Sequence, residues 1–144
     1  MSWVQETQRK YRMKKSKLNK ISKTPISKLQ RDIWVECKRI IRARYKKTCY
    51  TCGKTGLRGS DCQTGHMIPK STLGAYLKYD LRLLRLQCTR CNIWGGGMGA
   101  VFIENMRRIE GNDYVDGILR DRFKLVNAYD HYTTILEQYK KIKK

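Results

Sequence analysis

Apolar positions along this chain fall into a few periodic runs separated by glycine-rich breaks. After Pro25, Leu29, Ile33, Cys37, Ile40 and Ile41 recur at three- and four-residue steps with Trp34 beside them. That spacing predicts an amphipathic helix, with Ser27 as its expected cap. Its other face carries Lys28, Arg31, Lys38, Arg39, Arg42 and Arg44, so it should pack on one side and present cations on the other. From Thr48 to Met67 the periodicity breaks at Gly53, Gly56, Gly59 and Gly65, which predicts turns followed by a strand or loop. Leu81, Leu83 and Leu86 then lead into Cys88, and Gly95, Gly96, Gly97 and Gly99 form a loop. A helix should resume near Ala100 and end at Gly111. Asn112 or Asp113 could cap a long final helix with an apolar stripe of Val115, Leu119, Phe123, Val126, Tyr129, Leu136 and Tyr139. Such a stripe is a core face or a seam through which two copies could pair.

Charge changes the picture at the N-terminal end. The 144 residues carry 32 Lys and Arg against 12 Asp and Glu, a formal net charge of +20. Sixteen of the basic residues and only Glu6, Asp32 and Glu36 among the acidic ones fall in residues 1–48. Arg9 to Lys23 is too poor in apolar residues to bury a core and is expected to be a flexible basic arm. The expected organisation is an arm over 1–24, a core with its preceding helix over 25–111, and a helical extension over 112–144. So strong a positive field attracts polyanions, with DNA and RNA the default partners. The start, MSWVQETQRKYR, lacks the apolar run of an export signal, and the longest uncharged stretch, Asn92 to Ile103, is too short to span a bilayer. The expected setting is therefore a reducing one, the cytoplasm (a host cell's if the chain is phage-encoded), without a membrane partner.

In a reducing compartment, closely spaced cysteines point to metal. Cys49-Tyr-Thr-Cys52 and Cys88-Thr-Arg-Cys91 are two Cys-x-x-Cys pairs. Two intervening residues let both sulfurs of a tight turn reach one tetrahedral ion, so the four are expected to hold a structural Zn²⁺. A redox dithiol is the alternative, but a strand–motif–helix setting around Cys49 is missing. The gap between the pairs is long enough to hold an inserted functional segment. Cys37, on the apolar stripe, reads as a buried thiol, and the spacing of Cys62 fits neither pair.

Inside that gap lies Gly65-His66-Met67-Ile68-Pro69-Lys70-Ser71, and Asn92 directly follows Cys91. The order Cys-x-x-Cys, Gly-His, Cys-x-x-Cys-Asn, glycine loop resembles zinc-supported His-Asn-His (HNH) nucleases. More closely, it resembles the phage NinG (Rap) recombination proteins, over about Leu29 to Arg120 and including Tyr79-Asp80-Leu81-Arg82 and Gln87-Cys88. The resemblance implies an α+β, mostly helical fold: a zinc-clamped ββα-metal, treble-clef-like core with a basic N-terminal arm and helix and a long C-terminal helix. It implies a phosphodiester hydrolase acting on branched or recombination-intermediate DNA. His66 would be the general base and Asn92 a ligand of a catalytic Mg²⁺ or Mn²⁺. Two positions depart from the pattern. Gly65 stands where many HNH nucleases have an acidic metal ligand, leaving Asp61, Asp80 and Glu104 as candidates. Leu83 falls where an asparagine usually orients the histidine.

Lys70, Arg82, Arg85 and Arg90 flank the presumed site and, with Lys38, Arg39 and Arg42 of the basic helix, are the expected phosphate contacts. Two other readings fit the same residues. One is a non-catalytic zinc-dependent nucleic-acid-binding module; the other is a basic adaptor whose final helix recruits a protein.

Overall fold

A computed structural model describes residues 2–18 and 24–143, with side chains from 2–10 and 24–143. Much of the expected flexible arm is helical instead: α1 runs Trp3–Leu18. The span contains neither glycine nor proline and is rich in Lys, Arg, Gln and Met, all good helix formers. Residues 2–10 are fully on the surface, with Glu6 and Lys10 paired one turn apart at 3.4 Å. Charge denied this segment a core of its own, but it did not deny it a helix. The rest of the expected arm, up to residue 23, lies outside the described residues.

α2 spans Ile26–Arg44 and buries Leu29, Ile33, Cys37, Ile40 and Ile41, the predicted stripe. Ser27 does not cap it. Pro25 occupies the capping position, its carbonyl accepting from the Lys28 and Leu29 amides at 3.0 and 3.2 Å. Proline arrives with its φ already suited to a helix start and leaves no amide to satisfy.

The sheet is small. β1 (Gln63–His66) pairs antiparallel with β2 (Leu84–Gln87), with Gly65 opposite Arg85 and His66 opposite Leu84. Between them the chain makes a single turn at Lys70–Thr72, a short α3 (Ala75–Lys78) and another turn at Leu81–Leu83. A wide helical turn, Arg90–Trp94, follows β2 and leads through the glycine loop to α4, Gly99–Glu110, close to the expected limits.

The long final helix is instead two: α5 (Asn112–Arg120) and α6 (Ala128–Lys141), separated by a turn and an extended stretch. Asn127 starts α6, its side chain accepting from the Asp130 amide at 3.0 Å. The break shifts the buried face. Val115, Ile118, Tyr132, Ile135 and Leu136 are buried, whereas Phe123 is 82% exposed. α6 packs mainly on α2, so its apolar face is covered within the chain. Among the described residues, no helix is long and apolar enough to cross a membrane. The molecule is thus mostly helical, with one two-stranded sheet and one hydrophobic core running from Leu29 to Leu136.

Candidate metal and phosphate centre

The knuckle at Cys49 closes on itself: the Gly53 amide donates to the Cys49 carbonyl at 2.9 Å and the Cys49 amide to the Lys54 carbonyl at 2.8 Å. Gly53 takes φ +77°, a conformation costly for any residue with a Cβ. The second knuckle follows β2, where the Asn92 amide reaches back to the Cys88 carbonyl at 2.9 Å. The Tyr50 amide donates to the Leu86 carbonyl at 2.8 Å and joins the two knuckles. As a result, the sulfurs of Cys49, Cys52, Cys88 and Cys91 all lie within 4.8 Å of one another. Cys52 and Cys88 are 3.8 Å apart. Sulfurs about 2.3 Å from a tetrahedral centre sit about 3.8 Å from each other, so the cluster has the dimensions of a four-thiolate site that could take zinc. Cys62 is buried outside the cluster. Cys37 is also buried, its thiol directed at the Tyr79 carbonyl (3.6 Å) and its pKa pushed up to about 12 by burial.

The hairpin and the second knuckle bring His66 and Asn92 to one cavity of about 180 Å³, lined also by Pro69, Lys70, Gly96, Gly97 and Gly99. His66 is held on three sides. Trp34 of α2 stacks on its ring, with centroids 5.2 Å apart and planes 19° from parallel. Lys70 lies 4.8 Å over the Trp34 ring and 5.1 Å over Tyr79. Nε2 of His66 is 3.0 Å from the Lys78 carbonyl. A carbonyl can only accept, so Nε2 carries the proton and Nδ1 keeps its lone pair. Burial lowers the pKa of His66 to about 4, which keeps the ring neutral around pH 7. Burial likewise lowers that of Lys70, with Lys78 adding repulsion.

His66 is thus oriented by the Lys78 carbonyl and not by an asparagine side chain. Leu83, at that sequence position, is fully buried in the core. The carbonyl is itself supported from a distance, because the Tyr139 hydroxyl of α6 donates to the next carbonyl, Tyr79, at 2.8 Å. Gly65 has a packing reason. A Cβ there would lie 1.8 Å from Oε1 of the buried Gln87, whose Nε2 holds the Gly97 carbonyl at 2.9 Å. An acidic side chain at Gly65 would have to displace Gln87, which already fills the space.

The carboxylates expected to supply a second ligand go elsewhere. Asp61 is tied to Lys54 at 2.7 Å and accepts from the Thr89 amide at 2.9 Å; the lysine in particular lowers its pKa. Asp80 is gripped by Arg82. Glu104 is exposed on α4 and, like the other two, does not line the His66 cavity. Asn92 directs Nδ2 to Gln63 Oε1 at 2.8 Å, which leaves its own Oδ1 available.

Most of the expected phosphate contacts are also engaged. Arg82 bridges Asp80 and Asp121 at 2.8 and 3.0 Å. Arg85 is 1% exposed, pairs with Glu110 at 3.0 Å and stacks on Tyr45 at 4.7 Å. Arg39 pairs with Glu36 and caps the Tyr139 carbonyl, while Arg42 donates to the Cys62 carbonyl. Their partners lie 2 to 100 residues away in sequence, so the distant ones could not be read from local charge. Lys70 alone of the set lines the His66 cavity; Arg90 is exposed beside Cys91 and Trp94, and Lys38 is half-buried on α2. His131, the other histidine of the chain, lies against Tyr76 with ring centroids 5.4 Å apart. Sequence reading gave no role to Gln87 or to the 82% exposed Trp94 at the second knuckle, and placed Tyr139 only on the apolar stripe. No family model matches the chain, and neither a curated protein nor a solved structure does.

Proposed function

We propose that this chain is a divalent-metal-dependent DNA endonuclease of the HNH type, with Zn²⁺ on its four cysteines and a preference for branched DNA. One observation carries the reading: a neutral imidazole with a fixed tautomer and a carboxamide with a free oxygen share one small cavity. His66 Nδ1 takes the proton of the attacking water, and the Lys78 carbonyl steadies the imidazolium that results. Lys70 and the start of α4 at Gly99 favour a phosphate in the same space. The four-cysteine frame keeps Asn92 in register, because Asn92 is the next residue after Cys91.

The donor set is thin for a resident hard cation: Asn92 offers one neutral oxygen and no carboxylate lines the cavity. It fits an ion that arrives with the substrate phosphate and takes its remaining ligands from phosphate oxygens and water. Bound there, Mg²⁺ or Mn²⁺ would supply stabilisation of charge on the leaving oxygen. The absence of a carboxylate equally favours a second reading, a zinc-dependent module that binds nucleic acid without cutting it. The branched-DNA preference rests on the resemblance to the NinG (Rap) proteins and on a surface whose charge grips backbone rather than base edges.

The test is to incubate zinc-loaded protein with a labelled four-way junction, a flap and a plain duplex, with Mg²⁺ or Mn²⁺, beside His66→Ala. Divalent-dependent cutting lost in the variant is expected. Tight binding without cutting under either ion would replace the nuclease with the binding module.

A further inference from the structure

A second, larger cavity lies between the first knuckle, the end of α2 and α4. It measures about 550 Å³, within the range of pockets that take a nucleotide-sized ligand. Tyr45, Lys46, Tyr50, Arg85, Asn105 and Arg108 supply its polar lining, and it shares no residue with the His66 cavity. No acidic side chain lines it, whereas three cations do. Glu110 answers Arg85, but Lys46 and Arg108 have no ion pair among the described residues, so two positive charges remain unmatched there. Two of the lining side chains also carry buried atoms without a hydrogen bond of acceptable geometry, the Tyr50 hydroxyl and Arg85 Nε. Asn105 gives its Nδ2 to the Tyr50 carbonyl at 2.8 Å, which leaves Oδ1 free as an acceptor. Tyr45, Leu86 and Ile109 complete the wall with a ring and two aliphatic side chains.

This combination is selective. A backbone phosphodiester carries one negative charge, while a phosphomonoester carries about −1.5 to −2 near neutrality. Two unmatched cations together with two unpartnered donors suit the second better. The volume exceeds what a phosphate alone needs, and the ring and aliphatic wall suit a sugar and base.

We infer that this cavity binds a nucleotide through a terminal phosphomonoester, with the phosphate between Lys46 and Arg108 and the nucleoside along Tyr45 and Ile109. The ligand is either a free nucleotide or the 5′-phosphorylated end of a strand. Binding here does not depend on cleavage at His66, so it stands or falls separately from the nuclease reading.

Zinc-loaded full-length protein is titrated with thymidine 5′-monophosphate, thymidine and inorganic phosphate, followed by amide chemical shifts. A short oligothymidine with a 3′ fluorophore is then compared with and without a 5′-phosphate. The phosphate should raise affinity about tenfold over the matching 5′-hydroxyl compound in at least one arm. A stronger effect with the oligonucleotide identifies a strand end, and a stronger effect with the monophosphate identifies a free nucleotide. The increment should vanish in Lys46→Gln/Arg108→Gln and survive in Arg120→Gln/Lys141→Gln, which removes two cations exposed elsewhere. Tyr50→Phe should lose part of it. Equal binding with and without the terminal phosphate in both arms overturns the inference, as does loss of the increment in the Arg120/Lys141 control.

Discussion

The two cavities differ in how their charge is held, and the difference separates two uses of cationic side chains in one small protein. The His66 cavity is about 180 Å³, lined largely by glycine and proline backbone, with a single cation, Lys70, held against two rings. The Tyr45–Arg108 cavity is about 550 Å³ and lined by three cations, of which only Arg85 is neutralised by a neighbour. The first has little room and a fixed neutral base, which suits chemistry on a group brought to it. The second has volume and unmatched charge, which suits holding an anion. The four-cysteine frame borders both: Cys49 lines the larger cavity and Cys91 precedes Asn92 in the smaller.

The harshest way to break the comparison is to remove the frame. Structural zinc contributes on the order of 10–16 kcal/mol in small fingers, comparable with a whole domain's stability of about 5–15 kcal/mol. A strong chelator should therefore unfold the core and lose both cavities together, read as loss of far-UV circular dichroism and of the cooperative melt. An unchanged melt would mean the hydrophobic core holds the cavities without metal.

Gly65→Asp, which introduces the acidic residue common in HNH nucleases, should damage the smaller cavity most, because Gln87 holds the Gly97 carbonyl there at 2.9 Å and Thr51 of the larger one only at 3.2 Å. Its Cβ must displace the buried Gln87, and overpacking of this kind costs about 1–3 kcal/mol. Thermal melting should show Gly65→Ala destabilised, with partial recovery in Gly65→Ala/Gln87→Ala. No recovery in the double variant would place the clash elsewhere.

Acid sharpens the contrast further. His66 has a folded-state pKa of about 4, lowered by burial from an ordinary value near 6.5. Between those two values the unfolded chain binds more protons than the folded one, so stability rises with pH across the window. The contribution is complete above about pH 6.5 and lost as pH falls to about 4, roughly 3 kcal/mol at most. Cleavage should correspondingly be flat from about pH 5 upward, as far as this group controls it. His66→Asn should flatten the acid limb of the stability profile; an unchanged limb would assign it to the carboxylates.

The smallest effect concerns the surface. Neutralising Arg90 should reduce the slope of log K against log salt by about 0.9 if it meets one duplex phosphate. Arg82→Gln should leave the slope nearly unchanged, because its guanidinium is already bound to Asp80 and Asp121. Equal changes from both would mean that the ion pairs open on DNA.

What could be read in the chain beforehand follows from how local each signal is. The apolar face of α2, the two cysteine pairs and the limits of α4 were legible because they rest on spacings of a few residues. The C-terminal stripe was misread because it was counted through residues 121–127, where Asn127 starts a new helix and resets the phase. Asn127 itself was the available signal. Gly65 was legible as a departure but not as a packing requirement, since Gln87 approaches it only once the strands pair.

By itself, then, the sequence determined which residues could meet a metal and how the helices are patterned, because thiol spacing and side-chain periodicity are properties of short segments. The tertiary structure alone decided which cations are free. Arg82 and Arg85 found acids 39 and 25 residues away, while Lys46 and Arg108 found none among the described residues. Ion pairing depends on distance in space, and a +20 chain with 12 acidic residues can match only some of its charges.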